Sequence, residues 1–250
     1  MIFKQLFEPL SSTYTYLVGC ETTRKAVLID PVMESAERDL AEINSLGLKL
    51  ILTLETHIHA DHLTGALKLK SLAGSRIAAP KLDGLSCVDV GVEEGQSVHV
   101  GELILQPLFT PGHTAHHHAY LIERAGNKRV FTGDALLIDG CGRTDFQGGD
   151  CVTLFHSVRD KLFSLPGETL VYPAHDYQGR FVSSIAQEQA RNPRLGFDKS
   201  QQDFCRIMAE LKLPYPAKMQ FAVPGNQSCG HCPPDTPEEF RQKCAVSDQG

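Results

Sequence analysis

The segment Thr56-His57-Ile58-His59-Ala60-Asp61-His62 places three imidazoles and one carboxylate within six consecutive positions, from His57 to His62. An apolar run at residues 48–54 precedes it and is typical of a buried strand. Imidazole nitrogens and carboxylate oxygens are ligands that borderline divalent metals prefer. The alternative is a solvated loop that is merely rich in histidine. Other ligand types later in the chain favour a metal site over that alternative.

Three further segments place potential ligands directly after predicted strands. His113 follows the turn residues Pro111 and Gly112, Asp134 follows a strand at 129–132, and His175 follows a strand at 169–172. Loops at one edge of a rigid sheet often carry metal-binding and catalytic groups. A single histidine of this kind is more often structural. Four segments that repeat the order of strand, tight turn and ligand predict a shared metal site.

Other polar residues near these segments have more than one interpretation. Asp30 ends a predicted strand before Pro31, so it either orients a ligand imidazole or caps the helix that follows. A run of three histidines enters a strand, where neighbouring side chains point to opposite faces; one or two of them approach the site, or all are exposed. Those three are His116, His117 and His118, and ordinary surface roles are expected for His99, His156 and His231.

The order of predicted elements indicates one α/β domain over residues 1–250, layered as helix, sheet, sheet and helix. Its C-terminal tail, from about residue 221, is rich in Pro, Gly and Cys and is expected to be irregular. Strands are predicted at 14–18, 25–29, 48–54, 76–79, 97–100, 103–109, 119–123, 129–132 and 169–172. Helices are predicted at 34–46, 62–72, 152–163, 181–191 and 200–212.

Composition narrows the partners and the compartment that we expect. The 250 residues carry a formal net charge of −6 with scattered basic residues, which argues against nucleic-acid binding. No stretch of about 18 apolar residues is present, so no membrane partner is expected. No secretory leader is visible, and eight dispersed cysteines predict a cytoplasmic protein with reduced thiols. The segment Cys229-Gly230-His231-Cys232 has zinc-knuckle spacing but lacks the second pair of ligands that a structural zinc site needs.

The motif at residues 57–62, followed by a distant His, Asp and His, resembles the metallo-β-lactamase superfamily. The match spans roughly residues 25–180 and implies a four-layer αββα sandwich. It does not determine the reaction, since one fold hosts many chemistries.

Longer segments resemble one branch of that superfamily, the persulfide dioxygenases related to the ethylmalonic encephalopathy protein. Residues 140–143, Gly-Cys-Gly-Arg, resemble both that branch and glyoxalase II. More specific to the dioxygenases are the runs at 143–147, 172–177, 192–195 and 219–226. The segment from His231 onward departs from the family pattern, which leaves its role open.

The resemblance implies an enzyme that oxidises glutathione persulfide with O₂ and water, and that releases glutathione and sulfite. One Fe(II) per chain would be held by His57, His113 and Asp134. The other candidate ligands resemble a second metal site that the dioxygenases leave empty; they are His59, Asp61, His62 and His175, with Asp30 behind them. Two imidazoles and one carboxylate on one face of iron leave positions for a thiolate and O₂.

The resemblance also implies substrate contacts and leaves two other functions open. Arg143 and Arg194 would bind the carboxylates of glutathione, Tyr177 would donate a hydrogen bond, and Cys141 would be a structural thiol. The alternative enzyme is a glyoxalase II-like hydroxyacylglutathione hydrolase, in which hydroxide held between two metals attacks a thioester. A third interpretation is a non-catalytic binding protein. The resemblance leaves a homodimer open.

Overall fold

The computed structural model describes residues 1–238 and residue 241. Within these residues the strands form two six-stranded sheets. The first sheet contains, in spatial order, β1 (Ile2–Glu8), β2 (Thr13–Gly19), β3 (Lys25–Ile29), β4 (Lys49–Leu54), β5 (Arg76–Pro80) and β6 (Val90–Val92). The second contains, in the reverse of chain order, β7 (Val98–Val100), β8 (Leu103–Phe109), β9 (His118–Arg124), β10 (Asn127–Gly133), β11 (Leu170–Pro173) and β12 (Ser183–Ser184).

The α-helices of the described residues connect or follow these strands. They are α1 (Ala36–Ser45), α2 (Ala66–Ala73), α3 (Cys151–His156), α4 (Ile185–Arg191), α5 (Gln201–Glu210) and α6 (Met219–Asn226). The chain folds into two compact units. The first comprises Met1–Gly91, Val100–Glu102 and the described residues from Pro214 on; the second comprises Val92–His99 and Leu103–Leu213. The single domain expected from the sequence stays a prediction.

In the first unit, parallel pairing brings chain ends to one edge of the sheet. Strands β3, β4 and β5 are mutually parallel, and the connections between them contain α1 and α2. Parallel neighbours need such crossovers, and strands covered in this way are apolar throughout. Leu28 and Leu50 of the sheet pack with Ile43 of α1 and Leu69 of α2, all almost fully buried. The residues that follow β3 and β4 therefore emerge side by side.

In the second unit, β8, β9 and β10 form an antiparallel meander, and β11 adds parallel to β10. Val130 and Val171 of this sheet pack in one cluster with Leu154 of α3, Ile185 of α4 and Phe204 of α5. Because β10 and β11 run in the same direction, the residues after both strands lie at the same edge. This arrangement brings Asp134 and His175 together.

Several element boundaries differ from the sequence-based predictions for local physical reasons. Helix α2 begins at Ala66 rather than at 62, because residue 65 closes the preceding loop by a backbone hydrogen bond to Pro31. Helix α4 begins at Ile185, where Ser184 caps it by accepting a hydrogen bond from the Gln187 backbone N–H. The predicted helix at 152–163 is α-helical only to His156 and then widens into a π turn.

The prediction missed β1, β6, β12 and α6, and it was wrong about the start of the irregular tail. Residues Met219–Asn226 form a helix despite an internal proline. Phe221 and Ala222 on this helix pack against Met33 and Leu63. Burial of this face stabilises a segment whose composition alone suggests a loop.

The expectation of reduced thiols was also wrong for five cysteines, which are Cys87, Cys151, Cys205, Cys229 and Cys232. Cys87 is disulfide-bonded to Cys229, and Cys151 is bonded to Cys205. Among the described cysteines, Cys20 and Cys141 are buried free thiols. Since the sulfur of Cys229 is in a disulfide, the segment at 229–232 does not provide the zinc-knuckle pair. Cys244 lies outside the described residues.

Candidate metal centre

The His-rich loop follows β4 in the first unit, and its imidazoles are buried. His57, His59 and His62 are each at most 3% exposed. The loop starts beside Asp30, whose backbone N–H donates to the carbonyl of Leu54 at the end of β4. Asp30 itself has a φ of 49°, a left-handed conformation that is uncommon outside glycine. This turn directs the Asp30 side chain toward the loop.

A hydrogen-bond chain from Asp30 fixes the tautomer of His57. The Thr56 hydroxyl donates to Asp30 Oδ2 at 2.9 Å, and the Thr56 backbone N–H donates to Asp30 Oδ1 at 2.7 Å. The same hydroxyl lies 2.9 Å from His57 Nδ1. Because its only proton is given to Asp30, it accepts from His57 Nδ1–H, which leaves the lone pair on Nε2. Ligand imidazoles in metal sites are commonly oriented by such a donation. Asp30 thus orients the loop. It does not cap the helix that follows, because the N-cap positions there are occupied by Val32 and Ser35.

His59 lies between two buried carboxylates. Its Nε2 is 3.2 Å from Asp30 Oδ1 and 3.4 Å from Glu55 Oε2. Burial by itself would lower the pKa of His59, but the two carboxylates raise that pKa well above its usual value. Burial raises the pKa of Glu55, whose Oε1 also accepts from the Thr64 hydroxyl at 2.6 Å. Glu55 was not among the predicted site residues, although it directly precedes the motif.

Three donors of the loop form a compact group that could hold a cation. One donor atom from each of His59, Asp61 and His62 lies within 4.8 Å of the others. His62 Nδ1 is 2.9 Å from Asp61 Oδ2, which also accepts from the Thr13 hydroxyl at 3.2 Å. His59 Nδ1 and His62 Nε2 are buried ring nitrogens without a hydrogen-bond partner. Buried polar atoms normally have partners, so these two nitrogens suit a ligand role.

In the second unit, Asp134 is flanked by two histidines. Its Oδ2 is 3.3 Å from His113 Nε2, and its Oδ1 is 3.5 Å from His175 Nε2. His113 Nδ1–H donates to the Arg143 carbonyl at 2.7 Å, so a neutral His113 presents a lone pair to the Asp134 carboxylate. Asp134 Oδ1 is buried and has no hydrogen-bond partner. Two electron pairs facing each other at this distance require a cation or a proton between them, and a metal ion fits that need.

Close backbone packing supports Asp134 from two sides. A side chain at Gly142 would place its Cβ 2.6 Å from the Asp134 carbonyl and 2.7 Å from His113 Nδ1. Gly142 therefore allows the 140–143 turn to approach both residues, and its N–H donates to that carbonyl at 2.7 Å. On the other side, His117 Nε2 accepts from the Asp134 backbone N–H at 3.2 Å. His117 is fully buried, whereas the sequence left its exposure open.

The residues predicted to bind substrate lie in the second unit, and they differ from one another in exposure and in contacts. Arg143 forms a two-pronged ion pair with Asp145, at 2.6 and 2.8 Å, and stacks on the Phe146 ring. Tyr177 is 75% exposed and stacks on His175 with ring centroids 6.0 Å apart.

Arg194 and Cys141 form an inward-facing contact. Arg194 Nη1 donates to the Cys141 carbonyl at 2.8 Å and lies 4.0 Å from its sulfur. Burial raises the pKa of the Cys141 thiol to about 11, although the Arg194 guanidinium acts in the opposite direction. Cys141 is therefore a structural thiol rather than a nucleophile.

Comparison with known proteins identifies the family to which a chain with these two groups of potential ligands belongs. The Metallo-beta-lactamase superfamily model matches residues 9–175. The human protein named persulfide dioxygenase ETHE1, mitochondrial, is 47% identical over 231 residues, which cover 92% of this chain and 89% of the relative. The chain belongs to the metallo-β-lactamase superfamily, within the persulfide dioxygenase family.

Solved structures support the same family and fold class. ETHE1 from Myxococcus xanthus is 51% identical and superposes with a TM-score of 0.88, covering 92% of this chain and all of the other. The predicted α/β metallo-β-lactamase fold is thereby confirmed. A hydroxyacylglutathione hydrolase from Rhodospirillum rubrum is more distant, with 37% identity over 188 residues that cover 74% of this chain and 71% of the relative. Because the chain belongs to a family of enzymes, the comparisons favour an enzyme over the non-catalytic binding protein.

Proposed function

We propose that this chain is a glutathione persulfide dioxygenase that uses one Fe(II). The observation that carries the proposal is the 47% identity to a persulfide dioxygenase over 92% of the chain. The balanced reaction takes glutathione persulfide, O₂ and water to glutathione, sulfite and two protons. When bound, ferrous iron supplies the redox chemistry that O₂ requires and open coordination positions for a thiolate and O₂.

The proposed iron ligands are His57, His113 and Asp134. Hydrogen bonds to Thr56 and to the Arg143 carbonyl hold the two imidazoles in the tautomer that leaves Nε2 as the donor atom. Asp134 adds one negative charge, and its backbone is held by His117 and Gly142. Two imidazole nitrogens and one carboxylate oxygen would suit Fe(II).

The donors His59, Asp61, His62 and His175 are proposed to remain without a second metal. Support comes from the comparisons, because the 47% identity to a persulfide dioxygenase over 92% of the chain exceeds the 37% identity to a hydroxyacylglutathione hydrolase over 74% of it.

Arg143, Arg194 and Tyr177 are proposed to bind the glutathione part of the substrate. Arg143 already holds a carboxylate, that of Asp145, in the two-pronged geometry that it would offer to a glutathione carboxylate. The exposed Tyr177 hydroxyl can reach a ligand without a change in the core. Arg194 contacts the turn that leads to Arg143, so its part in binding would depend on a shift of its guanidinium.

A two-metal hydroxyacylglutathione hydrolase is the second candidate function. It is favoured by the grouped donors His59, Asp61 and His62 and by the similarity to the Rhodospirillum rubrum hydrolase. A hydroxide shared by two metals would attack the thioester carbonyl. The deciding experiment compares two substrates with the same purified protein.

The protein is purified without oxygen and assayed with glutathione persulfide in an oxygen electrode, with sulfite measured separately. It is then assayed with S-lactoylglutathione for thiol release. We expect equal amounts of O₂ consumed and sulfite formed, and little thioester hydrolysis. Rapid thiol release without O₂ uptake would instead establish the hydrolase.

Cytoplasmic location and a homodimer remain proposals. No helix in the described residues is long and apolar enough to cross a bilayer. The human relative is named as a mitochondrial protein, and disulfides such as Cys87–Cys229 and Cys151–Cys205 are unusual for a reducing compartment. Cell fractionation and size-exclusion chromatography with light scattering test the two points. No nucleic-acid partner is expected.

A further inference from the structure

Asn226, the last residue of α6, makes three hydrogen bonds to the His-rich loop. Its Oδ1 accepts from the Thr64 backbone N–H at 2.8 Å. Its Nδ2 donates to the carbonyls of His59 and His62, at 2.9 and 2.8 Å. Asn226 is 4% exposed, so these bonds are shielded from water. The amide donates both of its protons to the same short loop segment, which is more than 160 residues away in sequence.

The two carbonyls that Asn226 binds bracket the turn at Ala60 and Asp61. Holding both on one amide group fixes their separation, and with it the directions in which His59 and His62 leave the backbone. Thr64, held through its N–H, in turn donates its hydroxyl to Glu55. One side chain therefore restrains the backbone at three points of the segment that carries the candidate ligands.

The segment that carries Asn226 is itself fastened to this part of the first unit. The Leu67 backbone N–H donates to the Cys229 carbonyl at 3.2 Å, and Cys229 is bonded to Cys87. Gly230 lies so close that a Cβ there would be 2.1 Å from the Thr64 carbonyl. Asn226 therefore acts from a fixed platform rather than from a freely moving helix end.

We propose that Asn226 is a positioning residue for metal binding, which acts through the backbone of residues 59–64 and does not touch the metal. The proposal rests on the proposed function, because it requires a metal bound by His57 of this loop, which Asn226 reaches through Thr64 and Glu55. The amide type is essential: an acceptor alone can hold the Thr64 N–H, whereas two donated protons are needed for the carbonyls of His59 and His62. Replacing the amide by a carboxylate removes both donors and sets a negative charge against two carbonyl oxygens.

The first test is Asn226→Asp, which keeps the size of the side chain. Gln220→Glu is the matched control, because it makes the same amide-to-carboxylate change at an exposed position of the same helix. Ile43→Ala is a stability control that truncates a fully buried α1 side chain away from the loop. Asn226→Ala removes the hydrogen bonds without adding a charge.

Metal-free proteins are titrated with Co(II), and the visible d–d spectrum is recorded together with circular dichroism and the melting temperature. We expect Asn226→Asp and Asn226→Ala to weaken Co(II) binding at least tenfold and to change the spectrum, since the loop that carries the ligand His57 loses its backbone restraint. Gln220→Glu and Ile43→Ala should keep the wild-type affinity and spectrum, even where Ile43→Ala lowers the melting temperature.

An unchanged affinity and spectrum in a folded Asn226 variant would overturn the positioning role. Failure of the wild type to bind Co(II) would instead count against the proposed function. If both Asn226 variants fail to fold, hydrogen exchange of the wild type decides. The Thr64 amide should then exchange more slowly with Co(II) bound, and an unchanged rate would contradict the proposal.

Discussion

Asp134 is the residue whose surroundings most require a cation. Its two oxygens lie 3.3 and 3.5 Å from histidine nitrogens, and one of them is buried without a hydrogen-bond partner. A buried carboxylate oxygen without a hydrogen-bond partner needs a nearby cation to compensate for its lost hydration. This need connects a local electrostatic feature to the proposed iron site.

The Asp134→Ala variant should lose bound iron, because a ligand atom and its negative charge disappear together. Elemental analysis of anaerobically purified protein measures the effect. We expect an iron content below about one tenth of wild type, which corresponds to a loss of more than tenfold in affinity for iron. Asp198→Ala removes an exposed carboxylate as the control. Full iron content and full activity in Asp134→Ala would remove Asp134 from the ligand set.

Arg143 offers a separate test, since only its side chain is proposed to meet substrate. Its backbone carbonyl, not its guanidinium, holds His113, so Arg143→Ala should leave the iron content unchanged. Loss of a charged hydrogen-bonding pair worth about 1.5–3 kcal/mol should raise KM for glutathione persulfide by about tenfold or more. Arg206→Ala, which removes an exposed arginine of α5, is the control. An unaltered KM would exclude Arg143 from the substrate site.

At the scale of elements, the positions of the ligands follow from parallel strand pairing. β3 and β4 place Asp30 beside the His-rich loop, and β10 and β11 place Asp134 beside His175. The short helices that cover the second sheet need additional stabilisation, because a helix of six residues is unstable in isolation. Helix α3 obtains it from a cap and from a disulfide.

Asp150 caps α3 and makes its stability dependent on pH. Its carboxylate accepts from the Thr153 hydroxyl at 2.6 Å and from the Thr153 backbone N–H at 2.8 Å, and these bonds lower the pKa of Asp150. The resulting stabilisation is complete above the unfolded-state pKa of 3.8 and is lost as pH falls through the lower folded-state pKa.

Asp150→Ala should therefore lower the free energy of unfolding by about 1 kcal/mol at pH 7, the usual cost of losing an N-cap. The difference from wild type should shrink toward pH 3. Urea unfolding at several pH values measures it, and Asp160→Ala removes a carboxylate of the neighbouring π turn that caps no helix. A difference that grows on acidification would contradict this origin.

The Cys151–Cys205 disulfide joins α3 to α5 across 54 residues of sequence. Such a link restricts the unfolded chain, so Cys205→Ser should lower the free energy of unfolding by about 2–5 kcal/mol under oxidising conditions. Adding a reductant to wild type should reproduce most of the loss. Peptide mapping under non-reducing conditions should recover Cys151 linked to Cys205; recovery of Cys151 as a free thiol would refute the pairing.

At the scale of the whole molecule, the sequence predicted the fold class and the candidate ligands because both depend on local patterns. A strand followed by a tight turn and a His or Asp is visible in a few residues, and His57, His113, Asp134 and His175 all occur in that context. The assignment of individual ligands to iron stays a prediction.

The residues that hold the ligands in place were not predicted, because their partners are distant in sequence. Asn226 bonds to Thr64 across 162 positions, and Cys87 pairs with Cys229 across 142. Nothing local distinguishes such residues from others of their type. His117 belongs to a run of three histidines, and the sequence does not show which of them point into the protein interior. Spatial adjacency, rather than residue type, determines these roles.

The proposed reaction depends on a single ferrous ion held by His57, His113 and Asp134. Anomalous X-ray diffraction at the iron edge, from crystals of anaerobically purified protein, would locate that ion. We predict one iron peak per chain, within bonding distance of the two Nε2 atoms and one Asp134 oxygen. Two metal peaks per chain, or a single peak coordinated by Asp61, His62 and His175, would contradict it.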